Sequence, residues 1–282
     1  MAYRRTKLSK RLEQIGVYGT LIAASLFAIF PIVWAVLTSL KQEASIFLYP
    51  PRWIPDPVTL ENYAHVFYSS HMPRYFLNSL FVVLMTILLS LTLSSHGGYA
   101  AARFAFKGKN ALLFMILLTV MIPGIVVLIP LYMLATQVGL LDTYWALIFV
   151  YTAWQIPTVL WFMRGFFETI PQELEEAALI DGCSRLQAFY RIIWPLTRPG
   201  LAAAAIIVFV NVWNEFIIAL TLTTSDAKRL VPIGLYYYIG AYGIEWGKLM
   251  AAVCMALIPV IVLFIFLQRS FIRGLSSGAI KG

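Results

Sequence analysis

One carboxylate, Glu215, stands inside an otherwise uncharged apolar stretch running from residue 199 to residue 225. An ionised group in such a setting is costly, so it is retained for a task or held by partners. Asn211 precedes it by four residues and Asn214 is its neighbour. At helical spacing Asn211 and Glu215 share one face, and Glu215 lies about 21 Å along the helix from Leu201, in the outer half of a membrane. A carboxylate and amides beside an aromatic ring, here Trp213, suit hydrogen bonding to the hydroxyl groups of a polar solute. The same groups would also serve as glue to a neighbouring helix, or close an outer gate. Asn211, Asn214 and Glu215 are therefore candidate pathway residues with both roles open. His96, alone near the end of another apolar stretch, reads as a packing or interfacial residue.

A second constellation lies between Pro171 and Pro199, a charged segment flanked by long apolar stretches. Pro171 suits the first turn of a helix, where a missing N–H costs nothing. Glu173, Glu175 and Glu176 place acid at that helix's N-terminal end, complementing its dipole. Ala177, Ala178, Leu179 and Ile180 continue it through Asp181, and Gly182 can take the left-handed conformation that ends it. Ser184 with Gln187 three residues on forms a capping-box pattern that opens a second helix. The expected product is a helix–turn–helix that rejoins the apolar chain at Pro195 and Pro199. Leu179, Ile180, Leu186 and Phe189 stand alongside charges, which fits insertion into a cleft on another protein and equally fits a helix pair lying on a membrane.

The elements that must position these groups follow from composition. Apolar residues make up 61% of the 282-residue chain and charged residues 12%, against about 25% charged in soluble domains. Between the charged blocks lie six uncharged or nearly uncharged stretches, 14–40, 75–102, 110–141, 143–163, 199–225 and 249–268, each about the 20 residues or more that span a bilayer. Pro123, Pro130 and Pro157 are expected to kink the third and fourth. Gly97 and Gly98 with Ala100 to Ala102 allow close helix approach at the end of the second. The segment 41–75 is the longest connection; its prolines break regular structure, residues 60–67 read as a short surface helix, and its aromatics suit a membrane interface. The apolar run after the basic N-terminus is too long for a signal peptide, so the first helix is read as uncleaved.

Fifteen of the 21 Lys and Arg residues fall at the two termini and in the second and fourth connections, and six fall on the opposite side. That bias makes both termini and the 171–199 segment cytoplasmic. The net charge of +8 is largely this bias, with attraction to anionic membrane lipid rather than to nucleic acid. Cys183 and Cys254 are not expected to pair, and there is no Cys/His cluster for a metal. No phosphate-cradling G-x-x-x-x-G-K-[ST] loop is present. An intramembrane hydrolase would need a base or second acid beside Glu215, and none is spaced for it. An ion-coupled carrier or a channel is the alternative, although such carriers usually hold several ionisable groups at midplane.

Glu176-Ala177-Ala178, then Gly182, then Ile192 and Pro195, resembles the EAA loop of ABC-importer permeases, with Trp194 departing from the usual Leu. The wider chain resembles carbohydrate ABC-importer permeases of the maltose, trehalose and glycerol-phosphate type. Asn78-Ser79-Leu80, Tyr99 to Gly108, Pro130-Leu131-Tyr132, Gly139 to Tyr144, Trp213 to Phe216 and the Arg273 to Gly282 tail carry that likeness. The resemblance implies an all-α polytopic permease, one domain over 1–282, with six transmembrane helices and a cytoplasmic coupling helix–turn–helix at 171–197 between helices 4 and 5. It implies import of a sugar, polyol or sugar-phosphate across a bacterial inner membrane, together with a second permease, two cytosolic ATPase subunits and an extracytoplasmic solute-binding protein. It assigns ATPase coupling to Glu176, Ala177, Ala178, Leu179, Asp181 and Gly182, and an ATPase contact to the tail at Gly278 and Lys281. No cofactor belongs to this chain; ATP and Mg are bound by the partner ATPase. With both termini cytoplasmic, a reporter active only outside the cytoplasm and fused after Gly282 is expected to be silent; activity there refutes the topology.

Overall fold

The computed structural model describes residues 7–240 and 243–279, with side chains described for 13–240 and 243–268. Two compact units result, one joining the chain up to Ser70 with Tyr237–Leu257, the other joining His71–Tyr236 with the chain from Ile258. Helix α1 is Lys7–Ser39; α2 is Met72–Arg103, α3 Lys109–Val120, α4 Gly124–Gln137 and α5 Tyr144–Glu168. Helix α6 is Glu173–Ile180 and α7 Arg185–Leu196, which contains a π-turn at Phe189–Ile193. Then follow α8 (Arg198–Trp213), α9 (Ile217–Leu222), α10 (Val231–Tyr236) and α11 (Trp246–Ala279). Among the described residues the strand content is a two-residue ladder pairing Ile239 with Ile244 and Gly240 with Gly243.

Among the described residues four helices are long and apolar enough to cross a membrane, or six if each of two bent pairs counts as one span. The expected third span is such a pair: α3 and α4 meet at 95°. Pro123 sits at the N-cap of α4, so it begins a helix instead of kinking one, whereas Pro130 and Pro157 lie within continuous helices. The expected fifth span, 199–225, is also interrupted. Helix α8 stops at Trp213, and α9 restarts at Ile217.

The second unit is organised around the pairing of α2 and α5. The buried face of α2 carries Asn78 and Ser79 and then, one helical turn apart, Thr86, Ser90, Ser94 and Gly98. These small side chains let α5 come close: a Cβ on Gly98 would meet the Arg164 nitrogen at 3.0 Å and the Leu160 oxygen at 3.1 Å. Ser94 Oγ donates across the interface to the Ile156 carbonyl at 3.3 Å. Close backbone approach is what drives helix pairing in lipid, where no hydrophobic force acts between helices.

Asn78 and Ser79 also tie the start of α2 to the loop before α10. Asn78 Nδ2 donates to the carbonyls of Ala227 (3.0 Å) and Arg229 (2.8 Å), and Ser79 Oγ accepts from Val231 N at 2.9 Å. The Tyr144 hydroxyl, on the first residue of α5, donates to Asn78 Oδ1 at 2.7 Å. The Tyr75 hydroxyl donates to Asp226 in the same loop.

In the first unit Asn62 is buried and its Nδ2 donates to the Ser39 and Lys41 carbonyls at 2.9 and 2.8 Å. The expected surface helix is a turn at Glu61–Ala64 followed by a π-turn at His65–Ser69. Glu43 accepts from Trp246 N (2.8 Å) and Gly247 N (2.9 Å), capping the N-terminus of α11. Tyr49, Trp53 and Tyr68 are exposed, as an interfacial belt requires.

Asp142, between α4 and α5, takes φ 60°, a conformation that Asp and Asn tolerate better than other side-chain-bearing residues. Its Oδ1 accepts from Thr224 N and Ser225 N, both at 2.9 Å. Burial pushes its pKa up, but these hydrogen bonds and the charge of Lys228 outweigh it, and the net value lies below the ordinary 3.8. A lowered carboxylate pKa means stability that is fully present above 3.8 and lost as pH falls through the folded value. Asp142→Ala should therefore cost about 1–3 kcal/mol near neutrality through the unpaired donors. Asp142→Asn should cost less and remove this part of the acid sensitivity. Thermal unfolding of purified protein between neutral pH and pH near 3 checks both.

Candidate functional site

Helix α8 ends because Asn214 turns its side chain back, with Nδ2 donating to the Val210 carbonyl at 2.8 Å. Three residues later, at Ile217, α9 begins, and its first N–H groups need acceptors. Glu215 supplies them: Oε1 accepts from Ile218 N at 2.8 Å and Oε2 from Ala219 N at 3.1 Å. The Tyr151 hydroxyl of α5 donates to Oε2 at 2.6 Å. The expectation that Glu215 lies within a continuous helix is thus corrected. It sits in a break, where its charge complements the positive end of α9.

Asn211, one turn before the break, reaches α5, its Nδ2 donating to Gln155 Oε1 at 3.3 Å. Two cavities open beside this pair. One of about 270 Å³ is lined by Tyr151, Trp154, Gln155, Asn211 and Glu215, with apolar residues of α4 and α9. The other, about 630 Å³, shares Trp154, Gln155 and Asn211 and adds Thr119 and Phe149. Asn211 and Glu215 are therefore brought together, but Asn214 lines neither cavity. Trp213, the expected aromatic partner, is 4% exposed and stacks on Phe209 at 5.3 Å. The cavity aromatic is Trp154. Tyr151, Trp154 and Gln155 carry no charge to mark them in the sequence; their only signal is the spacing 151, 154, 155, which puts them on one helix face as it does 211 and 215.

The 171–197 segment is a tight hairpin. Helix α6 starts at Glu173 with Gln172 as N-cap, so Pro171 lies before the first turn rather than in it. Cys183 N donates to the Ala178 carbonyl (3.0 Å) and Gly182 N to that of Leu179 (3.1 Å), with Gly182 at φ +86°. This is the double closure of a left-handed helix end. Ser184 and Gln187 form the reciprocal capping box that opens α7.

The hairpin is held to the end of α2. Arg103 pairs with Glu175, their side chains 6% and 14% exposed. Arg103 Nη2 also donates to the Ile170 carbonyl at 2.8 Å, and the Tyr99 hydroxyl to Glu175 Oε2 at 2.9 Å. Phe189 fills the space beneath, its ring against Tyr99 at 4.6 Å and Trp194 at 5.6 Å. His96 bridges the same junction: Nδ1 lies 2.7 Å from the Thr92 carbonyl and Nε2 2.8 Å from the Tyr190 hydroxyl. A carbonyl only accepts, so Nδ1 carries the proton, and in the neutral ring Nε2 accepts from Tyr190.

Ala178 is 3% exposed and packs within its own chain. Glu176, Ala177, Leu179, Asp181 and Gly182 are exposed, and so are Leu174, Ile180 and Leu186. Gly278 lies in the part of α11 whose side chains are not described, and Lys281 lies outside the described residues.

A family profile described as "Binding-protein-dependent transport system inner membrane component" matches residues 94–277, and the chain belongs to that family. As a member it is a multi-pass inner-membrane permease component and not an enzyme. It is 35% identical to the sulfoquinovosyl glycerol transport system permease protein of Agrobacterium fabrum, over 93% of each chain. It is 34% identical to the trehalose/maltose transport system permease protein of Thermococcus litoralis, over 99% of each. A diacetylchitobiose uptake system permease protein of Streptomyces coelicolor is 34% identical over 94% of this chain and 97% of that one. The fold matches a chain in the crystal structure of a bacterial ABC transporter importing alginate, with a TM-score of 0.81 at 22% identity, covering 95% of this chain and all of the other.

The Tyr151–Glu215 contact carries a direct test. Glu215→Gln leaves one acceptor where two N–H groups and a hydroxyl converge, and should destabilise by about 1–3 kcal/mol. Tyr151→Phe should cost about 1 kcal/mol, and the double variant should cost clearly less than the two together. Strict additivity in thermal unfolding removes the pairing.

Proposed function

We propose that the chain forms, with a second permease, the pathway for a sugar or related polyol or sugar-phosphate in an ATP-driven importer. Relatives of nearly equal length named for trehalose/maltose, diacetylchitobiose and sulfoquinovosyl glycerol support the substrate class. The family description supports delivery by a separate binding protein. Two cytosolic ATPase subunits bind ATP and Mg and hydrolyse the nucleotide. The hairpin and both termini face them in the cytoplasm, and the tail at Gly278 and Lys281 reaches the ATPase pair. Asn211 lines the solute pathway, and Glu215 shapes it by holding the α8–α9 break.

The observation that carries the coupling role is the hairpin itself. It is closed by Gly182, anchored through Arg103 and Glu175, and presents Ile180 at 85% and Leu186 at 66% exposure. Large apolar side chains so exposed on a rigid projection are matched by a cleft in a partner. Glu215, already bonded to a helix end and to a tyrosine, is poorly placed to bind a coupling ion, which argues against the ion-driven alternative.

Purification from the native membrane should recover a second permease, an ATPase and a binding protein. Gly182→Val places a β-branched residue at φ +86°, costing about 1–2 kcal/mol locally, and Ala177→Asp adds charge to the docking face. Both variants should insert normally yet lose sugar uptake, and cysteine at Ile180 should cross-link to the ATPase more readily than cysteine at the inward-facing position 178. Normal uptake in both variants, with no cross-link in an assembled transporter, sinks the docking role.

A further inference from the structure

The polar lining of the two cavities is uneven. Glu215 has its carboxylate committed to Ile218 N, Ala219 N and the Tyr151 hydroxyl. Gln155 and Asn211 share one 3.3 Å bond. An amide carries an acceptor oxygen and two donor hydrogens, so a single amide–amide bond leaves a donor group on one residue and an acceptor on the other, whichever way the amides are turned. Gln155 is 7% exposed, so its remaining capacity is directed into the cavity space it lines rather than to bulk solvent. Trp154 lines both cavities beside it at 39% exposure. The indole lies close against the backbone of Gly124 at the α3–α4 break, where an added Cβ would stand 3.0 Å from Trp154 Cη2. Among the described residues lining either cavity none is Lys, Arg or His, and Glu215 is the only charge.

We infer that Gln155, Asn211 and Trp154 form a reading site for one ring of an uncharged sugar. The amide pair exchanges a donor and an acceptor with neighbouring ring hydroxyls, and the indole covers the ring's apolar C–H face. Acidic sugars are disfavoured, because no cation among the lining residues meets their charge and Glu215 opposes it. The inference rests on the sugar-import reading and narrows it: the substrate is a neutral glycoside rather than a uronate, a sulfonate or a sugar-phosphate. Gln155 and Trp154 are the specificity-determining residues that this chain supplies.

The test bypasses the binding protein, which would impose its own selectivity. The complete permease–ATPase complex in detergent is probed by saturation-transfer NMR with trehalose, maltose and a glucuronate-bearing disaccharide in turn. Transfer to ring protons of a neutral disaccharide is expected, with little to the acidic one. Gln155→Leu should weaken apparent affinity about fivefold, as the loss of one neutral hydrogen bond implies. Trp154→Ala should weaken it about tenfold and Trp154→Phe much less, with co-purification of the ATPase confirming assembly of each variant. Gln155→Lys should raise transfer to the acidic sugar. Equal transfer to acidic and neutral sugars, unchanged transfer in both Gln155→Leu and Trp154→Ala, or no transfer to any of the three overturns the inference. Sugar uptake by cells carrying the intact transporter is measured separately, so the import reading stands or falls on its own.

Discussion

The buried pairing of Arg103 with Glu175 is the constraint on which the second unit's function-bearing geometry depends. With side chains 6% and 14% exposed, neither charge is well solvated, and removing one partner from such a pair typically costs about 3–5 kcal/mol. Arg103 is the last residue of α2, and Glu175 lies in the first turn of α6. One interaction therefore fixes where a long apolar helix stops and how the hairpin leaves it. Tyr99, Ile170 and Phe189 surround the pair with further bonds and ring contacts, so the hairpin's angle is set by packed side chains rather than by a flexible joint. A force applied to the hairpin would be delivered into α2, and through the close packing at Gly98 into α5.

Irregular backbone within the bundle is handled by side chains. In hydrocarbon every unsatisfied N–H or C=O is expensive, so a break is tolerated only where its backbone groups find partners. The α8–α9 break meets that condition through Asn214, which closes one helix, and Glu215, which opens the next. Tyr151 binds the same carboxylate from α5, so the break and the cavity wall are parts of one hydrogen-bonded unit. A group that first reads as a solute contact thereby shapes the site, and the neighbouring amides of Gln155 and Asn211 keep capacity for a ligand.

The other end of the α2–α5 pair is closed in a similar way. Asn78 and Asp142 collect backbone groups from the loop 223–230 and Ser79 takes the first N–H of α10, beside the fully buried Leu230 and Val231. Short polar side chains thus act together with packing, and their identities are accordingly narrow: Asn78 must donate twice and accept once, and Asp142 must also tolerate a left-handed backbone.

The sequence alone determined the all-α class, the approximate limits of most apolar stretches and the hairpin at 171–197. Each of these rests on local rules, such as runs of apolar residues, a glycine at a left-handed position and a Ser–Gln capping pair, that act within a few residues. It also singled out Asn211 and Glu215, because a charge among apolar neighbours stands out without any structure. It did not determine the 95° bend after α3, the break after Trp213, the inward turn of Ala178, or the recruitment of Tyr151, Trp154 and Gln155. Apolar composition is the same for a straight and a broken helix, so continuity is decided by whether side chains elsewhere in the chain reach the freed backbone groups. Which face of α5 meets α8 is likewise set by the close packing of α2 against α5, a long-range contact that no local spacing records.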